Sequence, residues 1–173
     1  MSTEQSLRGV TGAHTTDGTP HGFTSLTPFV AVVDAAAAID FYTRVFGAAL
    51  VDRTEMPGAG GTPVVVHATL DLGNGRLQVG EVNPGFHLVP PPAGDDACYS
   101  LGLYVPDVDA VVARAVYAGA AVREPVTTFV TGDRYGSLRD PFGVRWSVMT
   151  RVEDLSDEQS AARVAEWAAS QTS

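Results

Sequence analysis

Apolar positions along the chain fall into two stretches with the same grammar. Phe29, Val30, Val32 and Val33 make a short β-rich run, and Leu101, Leu103, Tyr104 and Val105 make another. An aspartate follows each run, Asp34 or Asp107, placed to accept the free amides of a helix start. Helical spacing comes next: Ala38, Ile39, Tyr42, Val45 and Phe46 in the first copy, Val108, Val111, Val112, Ala115 and Val116 in the second. Gly47 and Gly119, which are 72 residues apart (119 − 47), stand where a left-handed residue would close each helix. Self-similarity of this kind predicts one supersecondary unit used twice.

Strand candidates follow each helix. In the first copy they are residues 49–54, 63–70 and 76–82, separated by glycine-rich segments at 57–61 and 73–75. In the second they are 121–124, 136–139 and 144–151, with the turn sequence Asp140-Pro141-Phe142-Gly143 before the last. Residues 83–97, with Pro84 and Pro90-Pro91-Pro92, form a linker that excludes regular structure. Ser156 and Gln159 make a capping box that opens a helix to about residue 169; its narrow stripe of Val164, Trp167 and Ala168 leaves open whether it packs on its own domain or on a partner subunit. Residues 1–22 are rich in Ser, Thr and Gly and hold no apolar run, which predicts a disordered tail. The expected organisation is a tail at 1–22 and a single domain at 23–152. Within it lie module one at about 26–82, the linker, and module two at about 98–151; a C-terminal helix and tail fill 153–173.

Composition adds limits. The 173 residues are 45% hydrophobic and 18% charged, a globular balance. A formal charge of −9 repels phosphate backbones and anionic lipid, so neither nucleic acid nor membrane is an expected partner. Residues 1–22 lack the basic start and apolar stretch of a signal peptide, and no apolar run is long enough to span a bilayer, so a cytoplasmic location is expected. Cys98, the sole cysteine, is expected to be a small core residue.

The segment from Asp34 through Ile39-Asp40-Phe41-Tyr42 to Gly47 resembles the opening module of the vicinal oxygen chelate superfamily, which holds glyoxalase I, bleomycin-resistance proteins and extradiol dioxygenases. Residues 132–136, 139–143, 145–147 and 152–156 are similar to its PhnB-like branch. The resemblance implies an α+β fold: two tandem βαβββ modules forming a curved mixed sheet cleft, often completed across a homodimer, plus here the C-terminal helix. In metal-dependent members the ligands come from the first and last strands of each module. The positions that match here hold Thr27 and Ser100, seven residues before the capping aspartates, Ser147, seven after Asp140, and Gln78 or Val79. Hydroxyls and an amide are poor ligands for a transition metal, so no metal and no cofactor are expected.

Alternation places His67 where it would face the cleft, as a bonded cleft or core histidine or as a catalytic base or single metal ligand. In the Asp133-Arg134-Tyr135 loop, Arg134 would pair an anion or Tyr135 stack on a ring; alternatively Asp133 and Arg134 pair locally and hold a hairpin. Arg145 and Ser147 share a strand face that excludes Trp146, and Phe29 shares the face of Thr27. The ligand-binding set is therefore Thr27, Phe29, His67, Ser100, Tyr135, Arg145 and Ser147. The leading expectation is a homodimeric, metal-independent binder of a hydrophobic or aromatic small molecule. One alternative is a glyoxalase-like lyase or dioxygenase with a relocated metal on His67 and Glu81; another is an interaction module with no ligand.

Overall fold

A computed structural model describes residues 8–171 of the chain. Contacts divide the chain into two units that meet at His87 and Leu88, inside the expected linker.

In the first unit, β1 (Thr15–Thr16) and β2 (Thr19–Pro20) form a hairpin closed by Asp17 and Gly18, with φ of 46° and 80°. Two successive positive φ values are what a two-residue hairpin turn needs, and Asp-Gly supplies them readily. The described part of the tail expected to be disordered thus carries local structure; the rest of it, residues 1–7, lies outside the described residues. Next come β3 (Phe29–Val32), α1 (Ala35–Phe46), β4 (Ala49–Pro57), β5 (Pro63–Asp71) and β6 (Arg76–Glu81). The sheet order is β3-β6-β5-β4, with β3 parallel to β6 and the other neighbours antiparallel. The Asp34 carboxylate accepts from Ala37 N at 2.9 Å, and Gly47, at φ 74°, closes the helix, as both residues predict. Ala38, Ile39, Phe41, Tyr42 and Val45 are buried, as are Val30, Val32, Ala68, Leu70, Leu77 and Val79 on the sheet face that α1 covers. Each fully buried large apolar side chain contributes about 1.5–3 kcal/mol.

In the second unit β7 (Leu101–Tyr104), α2 (Val108–Tyr117), β8 (Ala121–Thr128), β9 (Asp133–Arg139) and β10 (Arg145–Arg151) repeat the plan in the order β7-β10-β9-β8, again with the first pair parallel. Asp107 accepts from Ala110 N at 3.0 Å. Alternation on β10 is as expected: Trp146 and Val148 are buried on the side of α2, while Arg145, Ser147 and Met149 face the other way. The Asp140 carboxylate ties the turn together, accepting from Phe142 N, Val144 N and the Trp146 indole, each at 2.9 Å. Cys98 corrects an expectation: β7 begins only at Leu101, so the thiol precedes the strand and is exposed.

After β10, α3 (Asp157–Ser170) starts at the expected capping box. It packs on its own unit: Trp167 meets Phe129 edge-on at 5.1 Å between ring centroids, Ser160 Oγ donates to Thr131 O, and Arg163 pairs with Glu153. Among the described residues no helix is long and apolar enough to cross a membrane.

Candidate functional site

Strand alternation gives every sheet residue one of two faces, and in each unit the helix takes one of them. In the first unit, pairing aligns Phe29 with Gln78, Gln78 with Thr69, and Thr69 with Asp52, one row across the face away from α1. His67, two residues from Thr69, lies in the next row. Its Nδ1 is 3.4 Å from Asp52 Oδ1, and its ring lies 6.2 Å from that of Phe29. Gly80 makes this arrangement possible, because a Cβ there would sit 2.8 Å from the Phe29 ring and 2.6 Å from Val66 O. Thr27, just ahead of β3, turns its hydroxyl to Thr24 O.

The second unit carries a denser polar set on the corresponding face. Ser147 pairs with Gly102 on one side and Ser137 on the other, and Ser137 with Glu124. The hydroxyls of Ser100 and Ser147 are 2.8 Å apart. Arg145 donates from Nε to Ser137 Oγ at 3.1 Å and from Nη2 to Glu124 Oε1 at 3.0 Å. Tyr135 donates to the other oxygen of Glu124 at 3.2 Å. Loss of solvent, and then the Glu124 carboxylate, hold the Tyr135 hydroxyl above the usual tyrosine range. Ser100, Tyr135, Arg145 and Ser147 are therefore brought together on one face. Glu124 and Ser137 were missed: Ser137 is two residues from Tyr135, so the same alternation would have found it, whereas Glu124 depends on the β8–β9 register.

The two faces correspond position by position. Asp52 and His67 occupy the places of Glu124 and Tyr135, an acid on one strand beside a polar ring on the next.

The position left open between Gln78 and Val79 falls to Gln78, which shares the face of Phe29; Val79 is buried under α1. Two expectations need correction. Glu81, three residues beyond Gln78, points to the helix side, where its Oε1 accepts from Ala35 N at 2.9 Å. A site built from His67 and Glu81 would need both on one face, and alternation puts them on opposite ones. Thr150 does the same work in the second unit, accepting from Val108 N at 2.9 Å. Finally, Asp133 and Arg134 do not pair with each other, because alternation sends neighbours to opposite faces. Asp133 binds Arg151, and Arg134 forks onto Asp109 of α2 at 2.6 and 2.7 Å. Arg134 is thus a tie between strand and helix and is not aimed at a ligand.

The donor set also answers whether the residues suit a metal. The first unit offers Thr27 and Gln78 at the implied ligand positions, and the second offers Ser100 and Ser147; none is an imidazole or carboxylate. Among the described residues no three His, Cys, Asp or Glu side chains gather to hold an ion. These residues do not fit the metal centre of the metal-dependent relatives.

Residues 13–148 match the model of the Glyoxalase/Bleomycin resistance protein/Dioxygenase superfamily. The chain belongs to that superfamily. The uncharacterized protein Rv0887c of Mycobacterium tuberculosis is 36% identical to it over 143 residues, 80% of this chain and 81% of its own. The crystal structure of TioX from Micromonospora sp. ML1 is 30% identical with a TM-score of 0.56, covering 74% of this chain and 98% of that one. The putative 3-demethylubiquinone-9 3-methyltransferase, PhnB protein, from Bacillus cereus shares the fold at 22% identity and a TM-score of 0.57, covering 73% of this chain and 99% of that one. Superfamily membership and the paired four-stranded mixed sheets therefore agree with the resemblance and fold class read from the sequence.

Proposed function

We propose that this superfamily member binds small aromatic molecules without a metal, as a homodimer, with each unit using the sheet face turned away from its own helix. The observation that carries the reading is the Ser100–Ser147 hydroxyl pair at 2.8 Å, on positions where metal-dependent relatives place ligands. Hydroxyls in that place serve hydrogen bonding, and the adjoining Arg145–Glu124–Tyr135 network offers donors and acceptors that orient a polar substituent. Phe29, 38% exposed, and the His67 ring supply flat apolar surface in the first unit.

The test combines elemental analysis of untagged, chelator-free protein, light scattering for mass, and an NMR screen of small aromatic compounds. The reading expects no stoichiometric metal, a dimer mass, and shifts at Phe29, His67, Tyr135 and Ser147. Stoichiometric metal, or shifts confined to other surfaces, would overturn it.

One observation favours a second reading. Asp52 beside His67 Nδ1 is an arrangement that orients an imidazole as a general base. Turnover of a bound compound that disappears in His67→Gln while binding persists would establish that reading.

A further inference from the structure

Arg76 opens β6 and, by alternation with Gln78, lies on the face away from α1. In the second unit the same position is Arg145, since Arg76 pairs with Asp71 as Arg145 pairs with Arg139. The two arginines are treated differently. Arg145 is neutralised by Glu124 and bonded to Ser137. The counterpart of Glu124 is Asp52, one methylene shorter, and its carboxylate lies beside His67. Asp71, directly across the strand from Arg76, closes the following turn by accepting from Gly73 N at 2.7 Å. Among the described residues the Arg76 guanidinium forms neither an ion pair nor a hydrogen bond, and its Nε is buried without a partner.

The segment ahead of β3 holds this cation in place. The Phe23 ring stacks on the guanidinium, with Cζ 4.3 Å from the ring centroid. Gly22, at φ 86°, lies so close that a Cβ would collide with Nη2. Stacking occupies the face of a guanidinium, and with Nε enclosed it is the terminal Nη1 and Nη2 N–H groups that remain for a planar acceptor. A charged donor left without an acceptor is costly, and a carboxylate is its best geometric match.

We infer that Arg76 anchors an anionic group of the ligand, and that the ligand is an aromatic carboxylate whose ring lies toward Phe29 and His67. This inference rests on the binding reading above and names the chemical class bound by the first unit.

The experiment uses the full chain, with 2-naphthoate and the neutral 2-naphthalenemethanol as probes, followed by calorimetry and by the arginine Nε–H NMR resonances. Naphthoate is expected to bind at least tenfold more tightly than the alcohol and to move the Arg76 Nε–H signal. Arg76→Met, which keeps the aliphatic stem, should remove that preference while leaving the alcohol's affinity unchanged. Arg76→Lys, which keeps charge but not the fork, should retain part of it, and thermal melts check that both variants fold. If the alcohol binds as tightly as naphthoate, or Arg76→Met weakens both equally, the anion anchor is refuted and binding itself stands. If neither probe binds the wild type, the binding reading falls and the inference with it.

Discussion

Replacing Asp140 with Ala tests whether one carboxylate sets the register that aims Arg145 and Ser147. Asp140 is 4% exposed and accepts from two backbone amides and the Trp146 indole. Truncation removes the acceptor of all three N–H donors at once. Trp146 and Val144 are themselves buried, so water reaches their N–H groups poorly. An unsatisfied buried donor costs about 1–3 kcal/mol, and three of them, one only part-buried, give roughly 3–6 kcal/mol. Against a domain stability of about 5–15 kcal/mol that is a large fraction. Asp140→Asn separates the contributions. Its carbonyl oxygen can still serve Phe142 N and Val144 N, but its NH2 meets the indole N–H as donor against donor, so the cost should fall to about 1–3 kcal/mol. Urea melts followed by circular dichroism and by tryptophan fluorescence measure both variants. Asp140→Ala within about 1 kcal/mol of wild type, or Asp140→Asn as damaging as Asp140→Ala, would refute the account.

The remaining predictions concern other contacts. Gly80→Ala should displace the Phe29 ring and weaken aromatic binding with a loss of stability on the order of 1–3 kcal/mol, read by calorimetry and melting. Arg134 holds the Asp109 carboxyl below its usual range, through the hydrogen bonds first and the charge second. The contribution of that pair is therefore present above the ordinary carboxylate pKa and is lost as pH falls through the depressed folded-state value. The melting-temperature gap between wild type and Asp109→Asn should be steady at neutral pH and close in acid; a gap that widens in acid would contradict the sign. Trp167→Ala should free α3 from Phe129 at a cost of about 1–2 kcal/mol, seen as faster amide exchange along α3 with the rest of the unit unchanged.

Much of the fold was legible because its signals are local. Asp34, Asp107, Gly47 and the Ser156–Gln159 box each act within a helical turn or so of themselves, so their chemistry is readable without knowing the neighbours. The hairpin at 15–20 escaped because two-residue strands have no period to detect; the Asp17-Gly18 pair was its signal. Side-chain partnerships were less readable. Asp133 and Arg134 look like a local pair, yet their partners lie 18 and 25 residues away and depend on how β9 meets β10 and α2. Glu81 looked available beside Gln78 until alternation assigned it to the helix. Arg76 shares the parity of Gln78, but nothing local shows that Asp71 and Asp52 have other engagements.

Glu81 and Thr150 do one task with unlike chemistry: each satisfies the first free amide of its module's helix from the end of the last strand. The duties of the sheet are thereby separated by face. Residues that hold the helix can change only to another acceptor, whereas their neighbours on the outer face carry no such obligation. The outer faces of the two units carry an arginine ion-paired to Glu124 in one and, among the described residues, an arginine with no ion pair in the other. A fold that confines its helix-holding contacts to alternate residues can vary the chemistry of its outer face without unfolding along the way.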